Sequence, residues 1–190
     1  MKKIILTVAA FGLAAFSALA QVTLGAGYTG MKSDFSNMEG KWYHGFNLGV
    51  GYNLPLGLGF EFCPSIEYNY LTRSEETAAG NGETAGENRF NEHYLSIPLL
   101  FDYGYEINRN ARMFIFAGPA ASFRLYADPS ESGDNGPKRW DVRLGAGVGM
   151  DIYRHWRIQA GYDYGLLDRS KSEGTKLHFH NIRAGITYLF

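Results

Sequence analysis

The chain has 190 residues, a formal net charge of −1 and a single cysteine. It holds no run of the roughly 20 apolar residues that a helix needs to cross a bilayer. These features exclude a basic nucleic-acid-binding surface, an internal disulfide and a helical membrane protein. With 24 Gly, 13 Tyr and 13 Phe and few helix-favouring runs, they point to an all-β chain with close strand approaches and aromatic faces.

The first element is a leader. Lys2 and Lys3 form a positive n-region, Ile4 to Phe16 a short apolar stretch, and Ala18-Leu19-Ala20 supplies small residues for cleavage. Residues 1–20 read as a signal peptide, Gln21 as the first mature residue, and 21–190 as one domain. Loss of the two lysines shifts the formal charge from −1 to −3. Cys63 lies far from the cleavage site, so no acylated lipoprotein is expected.

Eight strands follow, predicted at Gln21–Gly30, Trp42–Tyr52, a third from Leu58 through Tyr70, then Glu92–Gly104, Arg112–Ala127, Arg139–Ile152, Trp156–Leu167 and Leu177–Phe190. Side chains alternate across a strand, and the contrast between faces is strongest in the third and sixth. In the third, Leu58, Phe60, Phe62, Ile66, Tyr68 and Tyr70 share one face, and Gly59, Glu61, Cys63, Ser65, Glu67 and Asn69 the other. In the sixth, Trp140, Val142, Leu144, Ala146, Val148, Met150 and Ile152 oppose Arg139, Asp141, Arg143, Gly145, Gly147, Gly149 and Asp151. An apolar exterior around a small or polar interior is the pattern of a barrel in lipid. A lipocalin-like soluble barrel would bury the apolar face and expose the charged one.

Linker lengths alternate in the same sense. Residues 31–41, 73–91, 128–138 and 168–176 are long and polar, while 53–57, 105–111 and 153–155 are short. Such barrels place long loops outside the cell and short turns in the periplasm. Trp42, Tyr70 and Trp140 then fall near the outer interface, and Tyr52, Tyr103, Trp156, Tyr188 and Phe190 near the inner one, as two aromatic girdles. In hydrocarbon every unpaired backbone group costs several kcal/mol, so the first and eighth strands must pair. The expected fold is all-β, an eight-stranded antiparallel up-and-down transmembrane β-barrel of the small OmpA/OmpX type. Its interior is about filled by side chains, which disfavours a wide aqueous pore.

The predicted inward charges are Glu61, Glu67, Asp102, Arg112, Arg124, Asp141, Arg143, Asp151, Arg157, Asp163 and Arg183. Their near balance suggests a paired polar plug, because buried charges need compensation. A catalytic pair of Glu61 with Glu67, or a proton path, is the functional alternative. Of His44, His93, His155, His178 and His180, the last two share a face and could bind metal, but no carboxylate or Cys near them in sequence completes a ligand set. Polar aromatics at the membrane interface are the plainer reading. No Ser–His pair is recognisable, so neither a catalytic nor a metal residue is assigned, and nothing calls for a cofactor.

Two segments carry a family resemblance. Tyr94-Leu95-Ser96-Ile97-Pro98-Leu99-Leu100-Phe101 and Phe114-Ile115-Phe116-Ala117-Gly118-Pro119-Ala120 resemble the "Y-L-x-I-P-L-L" and "A-G-P" strands of the outer membrane protein β-barrel domain family, in its PorT-like group common in Bacteroidetes. The likeness runs over essentially the whole mature chain. Pro98 and Pro119 each remove a ladder donor and are expected at bulges or kinks. One member of that group is tied to protein secretion and gliding, which reaches this chain only as an analogy. The last residues, Arg183–Phe190, alternate polar and apolar, carry Gly185 and end on Tyr188 and Phe190. They resemble the C-terminal signal by which bacterial outer-membrane barrels recruit their assembly machinery.

The expected protein is therefore a non-enzymatic integral protein of the Gram-negative outer membrane with a structural or surface-interaction role. Its expected partners are outer-membrane lipid and lipopolysaccharide and, through Arg183–Phe190, the barrel-assembly machinery, with room for extracellular or periplasmic protein partners and none for nucleic acid. The rival readings are a lipid A-modifying enzyme using His178 or His180, a small channel, and a secretion-associated barrel.

Overall fold

The computed structural model describes residues 21–35, 41–77, 86–128, 138–169 and 177–190. The leader, 1–20, lies outside them. Eight strands form a closed ring: β1 (Gln21–Phe35), β2 (Trp42–Gly57), β3 (Phe60–Thr77), β4 (Gly86–Asn108), β5 (Ala111–Ala127), β6 (Trp140–Ile152), β7 (Trp156–Gly165) and β8 (Leu177–Leu189). Every neighbouring pair is antiparallel, and β1 closes on β8 from Thr23 opposite Leu189 to Phe35 opposite Leu177. No sheet edge is left to lipid, as the cost of unpaired backbone groups demands.

The outer ends reach further than the sequence reading placed them. β3 and β4 continue their pairing to Thr77 opposite Gly86, within what was read as the loop 73–91, and β1 runs on to Phe35. At 18 and 23 residues, β3 and β4 far exceed the 9–11 needed to cross a bilayer, so their hairpin projects beyond it. At the inner end β2 extends through Gly57 and β4 through Asn108, which leaves tighter turns than the 53–57 and 105–111 expected.

Parity assigned most faces correctly. Val50, Phe101, Ile115, Leu144 and Ile186 are exposed to the membrane side, while Asp102, Asp141, Arg143 and Arg183 are buried inside. Arg139, read on the inward face, instead precedes β6 and is exposed. A second departure is Leu58. It sits not on β3 but in the turn, at φ +55°, followed by Gly59 at φ +85°, and is almost fully exposed. A two-residue hairpin of type I′ needs positive φ at both positions, and the requirement overrides the apolar alternation that carried Leu58 into the strand reading. The turn after β6 takes the same form with Tyr153 and Arg154 at positive φ.

Neither proline makes the expected bulge. The β4–β5 register is the same at Pro98 opposite Ala120 and at Phe101 opposite Ala117, and β5–β6 runs unbroken through Pro119 opposite Leu144. Pro98 points into the barrel and Pro119 out of it. The register instead shifts at His93/Tyr94, opposite Leu125, and there Leu125 and Tyr126 both face outward. A bulge puts two residues of one strand against one of its partner, which breaks the alternation locally.

Candidate functional site

An eight-strand barrel offers two places for chemistry, its lumen and its lipid-facing rims. The lumen is filled in tiers. Nearest the periplasm, five successive strands each contribute one charged residue: Glu61 from β3, Asp102 from β4, Arg112 from β5, Asp151 from β6 and Arg157 from β7. The two guanidiniums stand between the three carboxylates. Arg112 reaches Asp102 at 2.8 Å, Asp151 at 2.9 Å and Glu61 at 3.3 Å, and donates to the turn carbonyl of Gly59 at 3.1 Å. Arg157 forks onto both oxygens of Asp151 at 2.7 and 2.9 Å and meets Glu61 and Asp102 at 3.1 Å each. Both cations also lie over the ring of Phe114, at 4.3 Å for Arg157 and 5.6 Å for Arg112. Such planar forks match carboxylates in two dimensions, which is how buried charge is compensated here.

Cys63 joins this tier. Its thiol donates towards the Asn53 side-chain oxygen, and the Asn53 amide donates to Glu61 at 2.7 Å. Ligand atoms of Glu61, Cys63 and Asp102 lie within 4.8 Å of one another, a spacing that suits a metal ion. The donor set does not fit a free cation site, because Arg157 already touches all three, at 3.1 Å to each carboxylate and 3.4 Å to the sulfur. The guanidinium holds the position a metal would take.

The middle tier is thinner. Arg183 pairs with Asp163 at 3.2 Å and more loosely with Glu67 at 3.8 Å, and Asn181 links Asp163 to Thr29. Arg143 donates to the hydroxyls of Ser96 and Ser122 and stands 3.9 Å from Asp141. Glu61 and Glu67, weighed as a catalytic pair, are not brought together. Six residues apart on one strand face, they are separated by about 20 Å of β3, and each has its own arginine. Between these tiers lies a cavity of about 80 Å³ lined by Asn47, Ser65, Glu67, Arg157 and Arg183 among others.

The lumen also holds apolar groups, which the reading of its interior as small or polar did not foresee. Phe114 and Phe116 from β5 lie inward with Leu100. They fit because the neighbouring strand presents glycines: a Cβ on Gly149 would come within 2.2 Å of the Phe114 ring, and one on Gly147 within 2.3 Å of Phe116. Towards the outer mouth, Met31, Tyr43, Leu71, Tyr94, Leu177 and Phe179 form a second buried cluster. Three charged residues absent from the predicted inward set are buried in this upper part. Glu92 accepts from Tyr94 and pairs with Arg124 at 3.3 Å, and Arg73 donates to Tyr43. Arg169 lies over the rings of Tyr94 and Phe179 and donates to the Lys138 carbonyl. Glu92 and Arg73 lay at the edge of predicted elements, where parity has no anchor. Arg169 follows β7 in a segment read as a polar loop, and no sequence signal marks its return to the mouth.

The histidines face outward. His178 and His180 flank Tyr164, with ring centroids 6.4 and 4.9 Å from it, and among the described residues no third ligand group joins them. His93 sits among Tyr68, Tyr70 and Tyr126, and His44 beside Tyr28 and Trp42. His155, at the inner end, stacks on Tyr188. They belong to the aromatic girdles, together with Trp42 and Trp140 outside and Trp156 and Phe190 inside.

A family model described as "outer membrane protein beta-barrel domain" matches residues 16–170. The chain belongs to this family. The match does not single out its PorT-like members. No curated protein matches the chain. Among solved structures it is similar to Neisserial surface protein A, at 15% identity over 90% of this chain and 99% of that one, with a TM-score of 0.52. It is also similar to the outer membrane enzyme PagL, at 12% identity, 85% and 97% coverage and a TM-score of 0.54. A third is the outer membrane protein OprG from Pseudomonas aeruginosa, at 12% identity, 90% and 96% coverage and a TM-score of 0.50. At these identities the likeness is one of fold, shared by eight-stranded outer-membrane barrels.

Proposed function

We propose that this outer-membrane barrel acts as a non-enzymatic structural and surface-interaction element, with a closed lumen and with the projecting outer ends of its strands as the recognition elements. The observation that carries the reading is the filling of the lumen by matched carboxylates and guanidiniums together with two apolar clusters. What remains of the periplasmic mouth is a vestibule of about 310 Å³ that ends against Arg112, Glu61 and Asp151. Ions entering there meet the most densely paired tier of the barrel. The long β3–β4 hairpin supports the surface role, since nothing in spanning a bilayer needs strands of that length. The route is the leader at 1–20, followed by assembly through Arg183–Phe190, whose two aromatics lie on the outward face beside β1.

Planar-bilayer recording of the refolded protein tests the closed lumen: the expected trace has no discrete conductance steps, and regular steps would overturn it. Mass spectrometry of lipid A from cells with and without the protein tests the rival enzyme reading. Unchanged acylation is expected, and a changed acyl pattern that disappears with His178→Ala or His180→Ala would establish the enzyme.

A further inference from the structure

On three adjacent strands the outward face passes from one girdle to the other in the same length. Trp42 to Tyr52 on β2, Tyr70 to Phe60 on β3 and His93 to Tyr103 on β4 are each ten residues apart. At the tilt of about 40° usual for such barrels, ten residues rise about 26 Å, the height of the apolar band. β3 and β4 continue past the outer girdle, and β2 and β4 past the inner one.

The two continuations differ. Beyond the outer girdle the outward face turns polar at once, with Thr72 opposite Asn91 and Ser74 opposite Arg89. Beyond the inner girdle it stays apolar. β2 goes on to Leu54 and Leu56, and β4 to Tyr105 and Ile107, which are 75% and 50% exposed. The charged side chains at this level, Glu106 and Arg109 with Arg154 from the next turn, border the periplasmic vestibule instead. An apolar outside and a charged inside are thus kept to about 10 Å past Tyr52 and Tyr103, where a hairpin standing in water has no use for them. Across the ring β7 starts in the girdle itself, at Trp156, and its turn carries Arg154 and His155. The ledge is one-sided.

It is also braced. The Gly59 carbonyl accepts from the Gly104 amide at 2.9 Å and from Arg112 of the lumen tier at 3.1 Å, which ties the β2–β3 turn to β4. The Phe60 and Tyr103 rings pack with centroids 4.7 Å apart, and the Tyr153 amide donates to the Asn110 carbonyl at 2.7 Å. The apolar side chains are therefore presented on a fixed surface.

We propose that acyl chains of periplasmic-leaflet phospholipid cover this ledge at Leu54, Leu56, Tyr105 and Ile107, so that lipid reaches deeper on the β2–β4 side of the barrel than on the β7 side. Continuity commits the surface to lipid: the ledge prolongs the membrane face of β2 and β4 with no charged side chain between. The turn tip at Leu58 reaches into the headgroups. A bilayer meets such a one-sided excess by thickening locally or by letting the barrel incline, either at modest cost. The inference rests on the outer-membrane reading above.

The test uses the mature chain refolded into phosphatidylcholine nanodiscs and deuterated except for labelled Leu, Ile and Thr methyl groups. Nuclear magnetic resonance reads their cross-peaks to acyl-chain methylene and to water, and their relaxation by a soluble gadolinium chelate. Leu144, within the band on β6, is the lipid reference, and Thr72, past the outer girdle, is the water reference. Leu56 and Ile107 should show the acyl-chain cross-peaks of Leu144 and relax at least threefold less than Thr72. Water cross-peaks without acyl-chain ones, with relaxation equal to that of Thr72, would overturn the proposal and leave the ledge to a periplasmic protein. A heat-dependent mobility shift of the same samples keeps the two readings apart: a folded barrel with a wet ledge sinks this inference alone, and an unshifted band sinks the barrel.

Discussion

The two ends of the lumen are closed by different means. At the periplasmic end, five consecutive strands are tied by Glu61, Asp102, Arg112, Asp151 and Arg157 through directional, charge-assisted bonds. At the outer end Met31, Tyr43, Leu71, Tyr94, Leu177 and Phe179, drawn from β1 to β4 and β8, pack mainly through apolar surface, with Arg73, Glu92 and Arg169 set singly against their rings. The difference lies in what a single loss leaves behind. An apolar cluster that loses a ring keeps a cavity and its neighbours' contacts. A charge tier that loses a guanidinium keeps carboxylates, Asp102 above all, with little water to turn to.

Removing Arg157 should therefore be the most damaging change. Arg157→Leu leaves Glu61, Asp102 and Asp151 to the single remaining Arg112, and urea unfolding in lipid vesicles should show a loss of about 3–5 kcal/mol. At the other end Phe179→Ala should cost about 3 kcal/mol through the cavity it opens. A loss there equal to or above that of Arg157→Leu would refute the asymmetry. Val148→Arg, outward on β6 and well inside Trp140 of the outer girdle, should cost roughly 2–4 kcal/mol in lipid near the midplane, and a neutral result would refute the lipid face. Arg143→Leu sharpens the comparison within the lumen. Its main partners are the neutral Ser96 and Ser122, with Asp141 at 3.9 Å, so the expected cost is about 1–3 kcal/mol, clearly below that of Arg157. Least of all, Leu58→Asn should stabilise by about 0.5–1 kcal/mol, since Asn accepts the positive φ that Leu resists. A destabilised variant would show that exposed Leu58 has a packing partner in the membrane.

Most of the fold was legible from parity, because lipid outside and a confined interior impose opposite demands on alternate residues. Val142 and Arg143 declare their faces without help from any other strand. The strand count, the long and short connections and the inward set from Glu61 to Arg183 follow from that one period. What parity could not reach was whatever depends on two strands at once. The Phe114 and Phe116 rings are inward only because Gly147 and Gly149 stand opposite them on β6. The paired outward turn of Leu125 and Tyr126 needs the β4 register. Which arginine meets which carboxylate is a matter of tier height, so Glu61 and Glu67, alike in sequence, belong to different networks.

The seam between β1 and β8 has a consequence for how the molecule comes into being. Its partners, from Thr23 with Leu189 to Phe35 with Leu177, are the most distant in the chain. Each of the other strand pairs can form once its hairpin is made. This one must wait until β8 has been made, while β1 keeps an open row of amide and carbonyl groups. Closing so long a loop costs conformational entropy before any bond repays it, which makes the step slow on contact-order grounds. The hydrogen bond from the amide of Phe190 to the carbonyl of Val22 lies at one end of that seam. A truncation of a single residue there acts on the clasp of the ring, so lowered folded yield without altered loops is the expected phenotype, read as the outer-membrane level of the shortened chain.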